Sequence, residues 1–181
     1  MGLRSLAERH QFLGTQVDEL STGIDELVTA ANPGLRARHG VGADTAAQLL
    51  ITAGGNSERL RSEASFAALC GVAPVPASSG RTVRHRLSRG GDRHANNALY
   101  RIALVRMSSH QHTRAYVARQ VAAGRTKPEI IRLLKRAIAR ELHRHPTRAT
   151  PVPIYDDLRP ARQAKTSPSR PSPTTSGSGP E

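Results

Sequence analysis

Residues Leu35–Leu50 read LRARHGVGADTAAQLL, and the way this run divides decides the fold. A short apolar segment meets a Gly-x-Gly turn at Gly40–Gly42, and an Ala- and Leu-rich stretch follows that Asp44 or Thr45 is suited to open as a helix. The pattern predicts a helix-hairpin-helix over 35–53. In such a unit Gly40 and Gly42 let the backbone come close to a phosphate, and the free N–H groups beside Thr45 point at it. A plain tight turn before a helix has the same spacing, so DNA contact and simple chain reversal both stay open.

Toward the N-terminus, apolar positions from Leu3 to Ala31 fall on two interleaved sevens: Leu6, Leu13, Leu20 and Leu27, and Leu3, His10, Val17 and Ile24. This is the seam of a coiled coil or of an antiparallel helix pair. Gly14 and Gly23 weaken it, each by about 1 kcal/mol relative to Ala. Asn32-Pro33-Gly34 ends it. Residues 1–32 are therefore expected to be a coiled-coil helix, either for homo-oligomer formation or as one arm of a hairpin.

Toward the C-terminus, Ser62 caps a short helix whose buried stripe is Phe66, Leu69 and Cys70, and Gly71 stops it. Pro74 and Pro76 force extended backbone. Residues 74–92 form a basic loop in which Thr82–Leu87 alternates weakly, which predicts one short β-hairpin. Asp92 caps a helix to about Ser109 with the stripe Ala95, Leu99, Ile102, Ala103, Val105, the stem of Arg106, and Met107. Thr113 opens a helix to Ala122. Lys127-Pro128-Glu129 starts the last one, to about His145, with the stripe Ile130, Ile131, Leu134, Ile138 and Leu142. The fold expected is mainly α, with a helical domain over 33–146. The Pro- and Ser-rich tail, 147–181, is too poor in apolar residues for a core and is expected to be disordered.

The 181-residue chain carries 27 Lys+Arg against 14 Asp+Glu, a net charge of +13 and a pI of about 11.4. Such an excess points first to nucleic acid and more weakly to an anionic membrane surface. Only 3% of residues are aromatic, with no Trp, too few rings for a base-stacking platform. One cysteine, Cys70, excludes an intramolecular disulfide and a Cys-based zinc site. The eight histidines show no ligand spacing, so no metal site is expected. No apolar run is long enough to span a membrane, and Met1–Leu20 carries Glu8, Asp18 and Glu19, unlike a signal peptide. A cytoplasmic, nucleoid-associated protein is expected. The charge is lopsided: residues 1–30 sum to −3 and residues 59–154 to +15. A solvated surface of mixed sign does not account for that.

Ser78-Ser79-Gly80-Arg81 places hydroxyls on a Gly-flexed loop beside Arg81, Arg84, Arg86 and Arg89. A phosphoryl-transfer nucleophile needs a hydroxyl surrounded by groups that clamp phosphate oxygens, and arginine does so in pairs. From the spacing alone, a loop whose arginines only hold backbone phosphates is the favoured reading. Gly40, Gly42, Thr45, Arg93, Lys127, Lys135 and Arg136 complete the expected nucleic-acid-binding set.

His39–Leu50, Ser62–Gly80, His85–Asn96 and Lys127–Arg136 with Ala139–Glu141, in that order, closely resemble the C-terminal half of insertion-sequence transposases of the IS110/IS116/IS902 class, relatives of Piv-type DNA invertases. The resemblance runs from about Leu3 to His145. It implies a serine-nucleophile recombinase domain with the catalytic serine at Ser79 or Ser78, DNA and a bridge-type guide RNA as partners, and an oligomeric state. It also implies that the N-terminal helix is the coiled coil between two family domains. Such transposases begin with an RNase H-fold domain carrying four acidic metal ligands. Nothing here matches it, so no Mg2+ site is expected in this chain, and it is expected to be a truncated copy inactive alone. The alternative is a nucleic-acid-binding remnant or regulator without catalysis.

Overall fold

The computed structural model describes residues 2–54, 60–76, 85, 86, 88 and 90–145. The expected tail over 147–181 lies outside them. Among the described residues seven helices and one two-stranded ribbon occur: α1 (Gly2–Ala31), α2 (Pro33–Arg36), α3 (Ala43–Ala53), α4 (Glu63–Leu69), β1 (Val75–Pro76), β2 (His85–Arg86), α5 (Arg93–Ser109), α6 (Gln111–Ala122) and α7 (Lys127–Leu142).

α5 is the axle. It packs against α3, α6 and α7, while α4 lies on α7 and the end of α1 lies on α3. Its buried stripe, Ala95, Ala98, Leu99, Ile102 and Ala103, meets Leu35, Leu49, Phe66, Ile130, Ile138 and Leu142 in one apolar cluster. Small residues on α5 let its neighbours come close, and Leu, Ile and Phe from those neighbours fill the space. The expected stripe needs one change: Val105 is exposed, while Arg106 beside it is buried as expected.

Helix ends follow local chemistry. The Asp92 carboxylate accepts from the N–H groups of His94 and Ala95, at 2.7 and 3.3 Å, and Ser62 accepts from Ser65 N at 3.1 Å. α6 begins at Gln111, two residues before the expected Thr113, because His110 both closes α5 and opens α6. α7 ends at Leu142 rather than near His145. The following turn folds back, and the Asn32 side chain donates to the His145 carbonyl at 2.5 Å.

α1 is unbroken through Gly14 and Gly23. Among the described residues most of its heptad seam is uncovered: Leu3 is 85% and Leu20 67% exposed, and of α1 only Val28, near the end that lies on α3, is buried.

β1 and β2 pair antiparallel, Val75 with Arg86 and Pro76 with His85, so the short hairpin expected from the sequence is present. Its neck is tight. Gly91, at φ +104, lies so close that a Cβ would stand 2.6 Å from Ala68 O and from Gly71 N. Asp92 N donates to Leu69 O at 2.6 Å across the same crossing. Only glycine permits two chain segments to touch here.

Candidate nucleic-acid interface

The glycine turn is built into the core as much as presented to solvent. Gly40 has φ +79, and a Cβ there would come within 3.2 Å of Arg106 Cγ and 3.3 Å of Ile102 O. Its backbone lies directly on α5. Thr45 is buried, and its hydroxyl accepts from Gly42 N and donates to Gly42 O, each at 3.0 Å. The threonine is thus occupied in starting α3. α2, before the turn, is a single turn of four residues.

α3 and α5 run antiparallel. Asp44 pairs with Arg101 at one end, and Thr52 Oγ1 donates to Asp92 Oδ2 at 2.6 Å at the other. Between them Gln48, Arg93, His94 and Asn97 line a polar cleft of about 370 Å³. Arg93, the first residue of α5, is exposed on its rim.

A second groove, about 430 Å³, lies between α5 and α7 and is lined by Tyr100, Lys127, Pro128, Ile131, Arg132 and Lys135. Lys135 is only 8% exposed. Its Nζ donates to Asn96 Oδ1 at 2.8 Å, and Asn96 Nδ2 donates to the carbonyls of Cys70 and Gly71 at 2.9 and 3.1 Å. The lysine thus stands two hydrogen bonds from the hairpin neck. Burial, and then the charge of Arg132, hold its ammonium below the usual lysine range.

Arg136 is committed elsewhere. It forms a close ion pair with Glu63, joined by Arg140 Nε at 3.2 Å from the same carboxylate, and so ties α7 to α4. Burial pushes the Glu63 carboxyl up, but the Arg140 hydrogen bond and the charges of Arg136 and Arg140 outweigh it and leave it lowered. Arg86 stands in β2. Ser78, Ser79, Arg81, Arg84 and Arg89 lie outside the described residues.

The structure adds two residues to the site: Asn96, which the sequence did not single out, and Arg106, which it placed only in the buried stripe of α5. Arg106, buried on α5, donates through its terminal nitrogens to both Glu141 oxygens at 2.6 and 3.1 Å, and through Nε to the His39 carbonyl at 2.8 Å. A cation in the core phase of one helix and a carboxylate near the core edge of another was the available signal. Asn96, which joins Lys135 to the neck, gave none beyond its helical phase. Cys70 is a core residue: burial, with the Asp92 charge, pushes its thiol up to about 12, which leaves it unreactive.

The carboxylates of the described basic region are used internally. Asp44 pairs with Arg101, Glu63 with Arg136 and Arg140, and Glu141 with Arg106, while Asp92 and Glu129 cap α5 and α7. Lys127, Arg132 and Lys135 form no ion pair with a carboxylate among the described residues. No group of three His, Cys, Asp or Glu side chains there could hold a metal, and no described helix is long and apolar enough to cross a membrane.

Residues 34–118 match the model of the Transposase IS116/IS110/IS902 family. The chain carries a transposase domain of this family. The matched residues of the transposase domain span the glycine turn, the α3–α5 cleft and the hairpin, whereas α7 lies beyond them. An "Insertion element IS110 uncharacterized 43.6 kDa protein" of Streptomyces coelicolor is 32% identical over 139 residues, which are 75% of this chain and 34% of that protein. The chain spans about a third of the length of that relative.

Proposed function

We propose that this transposase domain binds nucleic acid and supplies a serine nucleophile for strand transfer. The observation that carries the binding is the charge balance: the described carboxylates of the basic region are occupied within the fold, and the surplus cations Arg93, Lys127 and Arg132 are exposed and call for a polyanion.

Ser79, with Ser78 as alternate, would attack a DNA phosphodiester. An Oγ–P bond forms, the bond from phosphorus to the departing deoxyribose oxygen breaks, and the serine proton ends on that oxygen. Arg81, Arg84, Arg86 and Arg89, adjacent in sequence, are suited to hold the non-bridging oxygens. The hairpin fits this role, because its tight neck anchors the chain that carries the serines. A divalent ion finds no ligand set among the described residues. On this reading the acidic metal-binding domain comes from outside these residues. DNA is the partner, with a bridge-type guide RNA as a second one, and α1 is the surface for oligomer formation.

The test is to incubate the chain with labelled duplex DNA, with and without an RNase H-like domain from a longer relative, and to look for protein–DNA adducts on denaturing gels. Adducts that vanish in Ser79→Ala while affinity is kept support the reading, and loss in Ser78→Ala alone moves the nucleophile by one residue. Tight binding without adducts under any condition replaces it with the alternative, a nucleic-acid-binding remnant or regulator without catalysis.

A further inference from the structure

We infer that the groove between α5 and α7 is a phosphodiester subsite, in which Lys135 is the buried cation and a backbone phosphate of the bound nucleic acid is its counter-ion. This rests on the nucleic-acid reading and specifies where one phosphate sits.

An ammonium group removed from water is costly unless a counter-charge and hydrogen bonds compensate it. Lys135, 8% exposed, has one protein acceptor among the described residues, the neutral amide oxygen of Asn96. Its ammonium has three donors, so two remain for a ligand. The lining residues include no carboxylate, and Lys127 and Arg132 add charge of the same sign. Glu129, on the same helix, is turned to the Thr126 N–H at 2.9 Å and the Thr126 hydroxyl at 2.8 Å. The lowered affinity of Lys135 for its proton agrees with a site lacking an internal anion.

A tetrahedral anion satisfies every one of these groups. It accepts from Nζ, takes charge-assisted bonds from Lys127 and Arg132, and has the Tyr100 hydroxyl available on the α5 wall. Such a phosphate would stand close to the hairpin neck, because Asn96 links Lys135 to the Gly71 carbonyl.

Lys135→Gln separates charge from architecture, since a glutamine amide can still donate to Asn96. Affinity of the full chain is measured against salt for a labelled random-sequence duplex and for a single-stranded RNA. The subsite predicts that Lys135→Gln weakens binding and reduces the slope of log affinity on log salt by about 0.9 on duplex, or about 0.7 on a single strand. A loss confined to RNA keeps the subsite and assigns its phosphate to RNA. An unchanged slope on both, in a wild type that binds, overturns the subsite alone. A wild type with no salt-dependent affinity for either removes the nucleic-acid reading itself.

Should Lys135→Gln fail to fold, the wild type still decides. The chain has only three lysines, Lys127, Lys135 and Lys165, so the Lys135 side-chain signal can be followed by NMR in lysine-labelled protein. It is expected to shift on addition of the duplex or the RNA, and a signal that stays in place with both overturns the proposal.

Discussion

Asp92 joins three parts of the molecule, two through its carboxylate and one through its backbone N–H. It caps α5, receives the Thr52 hydroxyl from α3, and its own N–H closes the hairpin neck. Asp92→Ala removes a cap worth about 1 kcal/mol and a side-chain hydrogen bond worth about as much again. A drop of about 2 kcal/mol in denaturant-derived stability is expected, and a drop within error would show that the cap is not holding α5. The Thr52 hydrogen bond first, then the backbone N–H bonds, hold the Asp92 carboxyl below its usual range, and the Arg106 hydrogen bond does the same for Glu141. Both folded-state values lie below the unfolded ones, so their contribution is present above the unfolded carboxylate range, about pH 4, and is lost as pH falls through the folded values. Glu141→Gln should therefore lower the melting temperature at neutral pH and narrow its gap to wild type in acid. A gap that stays constant with pH would separate the Arg106 pair from acid unfolding. The cap on α5 was legible, since Asp before an apolar-periodic run is a local signal. The Thr52 partner was not, because a contact across 40 residues is set by how α3 lies on α5.

At the scale of elements, α1 was legible in length and in its apolar stripe, because heptad spacing is carried by the chain itself. What covers the stripe was not, and among the described residues most of it is exposed. A second copy fits it in one register. With the helices antiparallel and Leu3 opposite Leu27, the same shift places Leu6 opposite Ile24 and Leu13 opposite Val17, and sets the Arg4 end level with Asp25 and Glu26. Parallel pairing would instead stack Asp18, Glu19, Asp25 and Glu26 on their own copies. The expected result is a dimer by light scattering that Leu13→Lys converts to monomer. Chains carrying Leu6→Cys or Ile24→Cys should crosslink when mixed and not when alone, since like positions then stand about 27 Å apart along the axis. Crosslinking of Leu6→Cys with itself would reverse the orientation, and a monomeric wild type would leave the seam to another partner. Buried Cys70, with its raised pKa, should not interfere. The neck of the hairpin is the opposite case from α1. Gly71 reads as a helix stop, but the Gly91–Gly71 crossing is a tertiary fit that no local pattern encodes.

For the whole molecule, the sequence showed that residues 59–154 hold more than the entire net charge, and the structure explains why so much of it is left over. Arg101, Arg106, Arg136 and Arg140 consume Asp44, Glu141 and Glu63 in joining α3, α5, α7 and α4. Arg93, Lys127, Arg132 and Lys135 are without a carboxylate partner among the described residues, and they line two grooves on either side of α5. Charge sums could not distinguish these groups, because whether an arginine is structural depends on which helix brings it a carboxylate. Arg136, expected at the interface, is ion-paired with Glu63 and so ties α7 to α4. The surplus should also weaken the fold by self-repulsion, which a polyanion relieves. Duplex DNA is therefore expected to raise the melting temperature in proportion to the logarithm of its concentration, by an amount equivalent to about 2.7 kcal/mol at a hundredfold excess over Kd. The gain should fade as salt rises, with a slope of log affinity on log salt of about −0.9 for every phosphate contacted. Arg93→Gln should shallow that slope by about one contact, whereas Arg136→Gln should lower the melting temperature of the free protein and leave the slope intact. If both variants alter the slope equally, the division between strut and interface is wrong, and a slope near zero in the wild type removes the polyanion from the account.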